Sequence, residues 1–152
     1  MATFDQTVGG YAYPYSGAIA PITVIQALFD PAVKGVLAQN DIAKLINIPD
    51  NSWVFGVRWE VTKVEGAARN FGIGDGSGTS SYVATTAANS LATGWSGLVA
   101  LTEGTPNVVT GYSAGKFYSA DDTLDVLAVT SGGLTTCQIK VIALVADLNF
   151  SI

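Results

Sequence analysis

The chain contains no histidine and a single cysteine, Cys137, among its 152 residues. Without imidazole there is no Ser-His-Asp or Cys-His nucleophile system, no histidine general base and no imidazole-held metal. A lone cysteine excludes an internal disulfide and every zinc site that needs two or more thiolates. Charge is scarce as well: Asp, Glu, Lys and Arg make up 12% of the residues, against about 25% in an ordinary soluble domain. Seven Lys and Arg against twelve Asp and Glu leave a net charge of -5. That is the wrong sign for gripping a phosphate backbone, so no nucleic-acid partner is expected. The longest apolar run, residues 141–146, falls far short of the roughly 20 residues that cross a bilayer as a helix, and no membrane partner is expected. The opening MATFDQTVGG has neither a basic nor an apolar signal region, so synthesis in a cytoplasm is expected.

What the chain does have is glycine, 17 of them, and a hydrophobic fraction of 49%. Long segments with apolar residues at helical spacing are missing, and short alternating segments take their place. In residues 53–61, Trp53, Phe55, Val57, Trp59 and Val61 alternate with Val54, Gly56, Arg58 and Glu60, the period of a half-buried strand with all five large residues on one face. Residues 42–48 read as a strand before it, joined through Pro49-Asp50-Asn51-Ser52 as its antiparallel neighbour. Further strands are expected at 69–74, 98–101, 108–112, 116–118, 123–130 and 136–148. The last should be buried on both faces over 141–146. Residues 79–96 are small and polar and read as a loop with a short helical turn. The fold class is therefore all-β, a β-sandwich or jelly roll over residues 36–152. Residues 1–35 read as an N-terminal arm or as a first strand, with the strand at 23–29.

Several motifs carry possible chemistry. Gly111 to Phe117, GYSAGKF, looks like a phosphate loop but is one residue short and puts Phe117 where Ser or Thr should bind magnesium; a turn explains it better. The run from Gly72 to Gly78, GIGDGSG, has Asp75 as its only carboxylate, too few for calcium. A tight turn with Asp75 bonded to nearby amides fits better. Asp121, Asp122 and Asp125 form the densest acidic cluster, and a carboxylate pair can hydrolyse glycosides. Adjacent strand residues point to opposite faces, however, and nothing orients a base. Cys137 alternates with Ile139 and reads as a buried, inert thiol. No catalytic, metal-binding or cofactor-binding residue is assigned, and no enzyme is expected. Aromatic side chains offer partner contacts instead: Tyr11, Tyr13 and Tyr15 in the arm, Tyr82 and Trp95 in loop or edge regions, with Tyr112 beside them.

Over residues 36–148, the Ile46-Asn47-Ile48-Pro49-Asp50 turn, Phe71-Gly72-Ile73-Gly74-Asp75-Gly76, Gly115-Lys116-Phe117-Tyr118 and Asp122-Thr123-Leu124-Asp125-Val126 resemble small head-decoration, or cement, proteins of tailed bacteriophages. The resemblance implies a jelly-roll or sandwich homotrimer on the capsid surface of the virion, bound to the major capsid protein and stabilising the shell. The Tyr-rich arm has no counterpart in it. Residues 1 to about 20 are expected to become ordered on the capsid or a neighbouring subunit. A receptor- or glycan-binding fibre or spike module displaying Trp95 or Tyr82 is the alternative, and a small glycan-active enzyme using Asp121 and Asp125 a third.

Overall fold

A computed structural model of the chain describes residues 22–76, 78–97 and 115–149, with only the backbone described at 79, 80 and 95–97. Nine strands and one short helix follow in order: β1 (Ile22–Phe29), α1 (Pro31–Lys34), β2 (Ile42–Ile48), β3 (Ser52–Lys63), β4 (Asn70–Asp75), β5 (Gly78–Ala87), β6 (Thr93–Gly97), β7 (Lys116–Tyr118), β8 (Asp122–Ala128) and β9 (Gln138–Asp147). The pairing is nested. β4 and β5 form the innermost hairpin, β3 pairs with β6 and β7, β2 with β8, and β1 with β9, all antiparallel. Rolled up, this long hairpin gives one sheet in the order β1-β9-β3-β6, with β7 also on β3, and a second in the order β2-β8-β4-β5. That connectivity is the jelly roll.

The expected strands at 42–48 and 116–118 form at those residues, and those at 69–74, 123–130 and 136–148 form within two residues at most ends. Expectations at 98–101 and 108–112 lie outside the described residues. Two expectations are corrected. β2 and β3 are not neighbours: Pro49 to Asn51, with Asn51 at φ 51°, turns a corner from one sheet to the other. Residues 79–96 hold two strands, β5 and β6, joined through 88–92, because Tyr82 and Val83 anchor β5 in the interior and β6 pairs with β3. Of the two readings of residues 1–35, the strand at 23–29 forms as β1, whose eight residues all pair with β9, and residues 1–21 lie outside the described residues.

Between the sheets lie Phe29, Val57, Val61, Ile139 and Val141 from one side and Ile48, Phe71, Ile73, Leu124 and Val126 from the other, all buried. Trp59 and Phe71 meet across the gap edge to face, with centroids 5.5 Å apart. Aromatic pairs favour this geometry. At the turn before β9 the backbone of Gly133, φ 68°, passes so close to Leu37 that a Cβ there would overlap its carbonyl oxygen. That close approach is what the glycine permits, and it closes the Leu37–Leu134 bridge.

Candidate functional site

The expected five-residue apolar face of β3 does not exist as one face. Opposite β9, Val54 faces Val145 and Gly56 faces Leu144, so Phe55 is one extra residue on β3, a β-bulge. The phase flips at that point. Val57, Trp59 and Val61 point inward and are buried, while Trp53 and Phe55 turn outward and are half-buried. Their rings lie 6.3 Å apart. The face of β9 expected to be covered also lies partly open, since Ile142 and Leu144 are only half buried.

Register carries this patch across the sheet. Ile22 of β1 faces Ala146 of β9, Ala146 faces Trp53, and Trp53 faces Phe117 of β7. In the next row Val24 faces Leu144. Ile22 is 59% exposed, Val24 56% and Phe117 42%, and the Phe117 ring sits 6.2 Å from that of Trp53. Arg58, Glu60 and Lys140 follow on the same face, so the apolar surface ends against charge. A contiguous patch rimmed by polar groups is the mark of an interaction surface, and tryptophan is the side chain that most often anchors one.

A buried ionic cluster holds β7 in place behind this patch. Asp75 ends β4 inside the sandwich with its side chain fully buried. Its Oδ2 accepts from Lys116 Nζ at 2.7 Å and from the Tyr118 hydroxyl at 2.7 Å, and its Oδ1 accepts from the Gly78 amide at 3.0 Å. The single Tyr118 proton goes to Asp75, so the Tyr82 hydroxyl, 2.9 Å away, donates to Tyr118. Burial, together with the Tyr82 and Asp75 contacts, pushes the Tyr118 hydroxyl far above its ordinary range, and it stays a donor. Because side chains alternate along a strand, drawing Lys116 and Tyr118 inward sets Phe117 outward beside Trp53. The grip on Asp75 thus positions the patch.

Tyr82, expected at the surface, is 0% exposed and belongs to this interior cluster, so it displays nothing to a partner. Trp95 lies on β6 opposite Arg58; its side chain, like Tyr11, Tyr13, Tyr15 and Tyr112, lies outside the described residues. Trp53, Phe55 and Phe117 were missed. Strand period alone sent Trp53 and Phe55 inward, and the lysine two residues before Tyr118 was the available signal of a buried anionic partner. Lys116 serves that partner and is no phosphate-loop lysine. Asp75 takes its cation from Lys116 rather than from calcium, and no group of three or more acidic or thiol side chains among the described residues could hold a metal ion. An open groove of about 510 Å³ lined by Lys44, Asn47, Asp121, Asp122 and Thr123 runs beside the acidic cluster. Asp121 Oδ1 accepts from the Asp50 amide, and Asp122 Oδ1 from the Gly76 and Thr123 amides. These carboxylates tie corners together. Cys137 is buried, and burial beside Glu65 pushes its thiol up to about 12.

No protein-family model matches the sequence, and no curated protein matches it. Among solved structures, a chain of the cyanophage Pam1 capsid asymmetric unit is similar at a TM-score of 0.57 and 15% identity, over 96% of this chain and 99% of that one. A chain of the capsid of Ralstonia phage GP4 is similar at a TM-score of 0.60 and 14% identity, over 91% of each. Coverage near full length on both sides makes the likeness one of whole folds. At such identities the shared property is the all-β sandwich.

Proposed function

We propose that the chain is a structural protein of a bacteriophage virion that decorates the capsid exterior, binds the major capsid protein as a homotrimer and stabilises the shell without turning over any substrate. The observation that carries this reading is the apolar patch of exposed Ile22, Val24 and Phe117 with half-buried Trp53 and Phe55 on the outer face of the larger sheet. A lone subunit gains nothing from leaving such a surface in water, and an assembled one covers it. The whole-length likeness to chains of two phage capsids supports the setting. A low charge content suits a subunit covered on several sides, since a buried charge is costly unless paired. A ligand that binds the assembled shell but not its disrupted form stabilises the shell in proportion to the logarithm of its concentration over Kd.

The test uses heads stripped of their surface proteins. Added chain should rebind and raise the temperature of DNA release, and a Trp53→Ser, Phe117→Ser double variant should bind at least about 30-fold more weakly, the loss of one strong interface anchor. Equal release temperatures with and without bound chain at saturation overturn the reading. For the oligomer, sedimentation should give three times the 15.7 kDa chain mass; a monomer at tens of micromolar opposes it.

A further inference from the structure

Strand β1 is a free edge. Among the described residues it pairs on one side only, with β9. Its eight residues, ITVIQALF, hold no charge and no proline, and its register with β9 runs without a bulge. Proteins protect a bare edge with charge, proline, a bulge or a short strand, and this one uses none of them. An edge so built takes an added strand.

A groove of about 200 Å³ runs beside this edge, lined by Ala27, Leu28, Val33 and Leu45 with Gln26, Asp30 and Lys34 as polar members, the last two of opposite charge. Its chemistry suits an aromatic ring carrying a hydroxyl. The occupant should therefore be extended, almost uncharged, and spaced so that tyrosines recur on one face. Residues 1–21 have those properties: Asp5 is their only charged side chain, and Tyr11, Tyr13 and Tyr15 recur every second position.

We infer that the β1 edge is completed by residues 1–21 of a neighbouring copy of the chain, which lay a strand along β1 and seat a tyrosine in the adjoining groove. This deepens the proposed function and rests on its oligomeric part. The donor is another copy because Ala20-Pro21 stands directly before Ile22. A two-residue hairpin back onto the chain's own β1 needs positive φ in the turn, which proline cannot adopt and alanine disfavours. The chain's own arm therefore reaches β1 only by giving up residues to a longer loop, whereas a neighbour's arm lies along it without one. Twenty-one residues extend up to about 70 Å, enough to reach an adjacent subunit. Donation from each copy to the next is head to tail, a contact that closes into a ring when the rotation between copies permits, as the proposed trimer requires.

The test is cross-linking in the absence of heads. Tyr13→Cys chains are mixed with isotope-labelled Gln26→Cys chains, treated with a short bis-maleimide and analysed by mass spectrometry; native Cys137 is buried and does not compete. Cross-links between light and heavy chains are expected. Leu28→Glu on the acceptor, which adds a charge at an exposed groove position outside the apolar patch and opposite Lys140, should lower their yield at least tenfold with the circular-dichroism spectrum of the fold retained. Deleting residues 2–16 should reduce the sedimenting mass to that of one chain, and a peptide of residues 1–20 should compete with cross-linking. Cross-links confined to single Tyr13→Cys, Gln26→Cys chains would overturn the inference in favour of the chain's own arm. An undiminished mass after the deletion would overturn it in favour of patch-to-patch association. Heads that refuse the exchanged oligomer would instead overturn the decoration role and leave strand donation standing.

Discussion

Asp75 and Glu65 are buried carboxylates toward opposite ends of the sandwich, and they are satisfied in opposite ways. At the end carrying the apolar patch, Asp75 is met by an ammonium and a phenol from β7, on the opposite sheet. At the other end Glu65, 5% exposed, is met by the chain's own backbone. Its Oε2 accepts from three successive amides, Thr135, Thr136 and Cys137, at 2.8, 3.0 and 3.2 Å, and its Oε1 from the hydroxyls of Thr135 and Thr136. A row of convergent N–H groups is an anion nest, here filled from within. Asp75 fastens sheet to sheet and fixes which residues of β7 face out. Glu65 fixes one turn leading into β9. The first arrangement is coupled to the candidate interface, and the second is local.

Removing Asp75 should therefore have the largest effect. Asp75→Ala takes away the carboxylate that Lys116, 19% exposed, is paired with and removes the acceptor of Tyr118. Breaking a buried pair from one side costs about 3–5 kcal/mol. Urea unfolding should show that loss; under the proposed function it should also weaken binding to heads, because β7 has three paired residues on β3 and Phe117 depends on them. A loss under about 1 kcal/mol would mean that the cluster fastens nothing.

Glu65→Ala should cost less, about 2 kcal/mol, because the amides it abandons belong in part to the surface residues Thr135 and Thr136, where water replaces some of the bonds. Head binding should stay unchanged. The pH dependence has a definite sign. Burial works to raise the Glu65 carboxyl, but the Thr135 and Thr136 amides and hydroxyls outweigh it and hold the group well below its usual range. A depressed folded value means stability that is complete above the unfolded value of about 4.3 and drains away as pH falls below it. Glu65→Gln should flatten the fall in urea midpoint between pH 5 and pH 2; an unaltered slope would remove Glu65 from the acid response.

Much of the fold is legible in the chain because strand period is a local property. The 42–48 and 116–118 strands needed only their own residues. What local reading misses depends on residues far away. The bulge at Phe55 exists only relative to β9, and it alone decides that Trp53 faces out. The corner at Pro49 to Asn51 resembles a hairpin turn, and only the pairing of β2 with β8 sends it to the other sheet. Asp75 was legible as a turn residue bonded to a nearby amide, which its bond to Gly78 satisfies, but its interior partners lie 41 and 43 positions on. Strand β5 stayed hidden because its Thr, Ser and Ala residues give no apolar alternation and Tyr82 and Val83 are its large anchors.

A third carboxylate sharpens the contrast, since neither solution is applied to it. Asp125 is 3% exposed on β8, opposite Lys44 on β2 and Gly74 on β4, and its Oδ1 has no hydrogen-bond partner among the described residues. Burial raises its carboxyl above the usual range; Thr123 and the Lys44 charge pull it down, and the charges of Asp122 and Asp75 add to the rise. The sign is opposite to that of Glu65. The folded state holds the proton more tightly than the unfolded one, so between the unfolded value of about 3.9 and the raised folded value, stability climbs as pH falls. Above that window the ionised group is a standing penalty. Asp125→Asn, which keeps the shape and removes the charge, should stabilise the protein by about 1 kcal/mol at pH 7, the scale of an unsatisfied buried polar group less the screened attraction of exposed Lys44. The gain should shrink toward zero near pH 4, where Asp125 itself carries a proton. Urea midpoints of the two proteins at pH 7 and pH 4 measure both quantities. A variant less stable at pH 7 would mean that Lys44 and Thr123 already balance the charge, and that all three buried carboxylates are held in their ionised form.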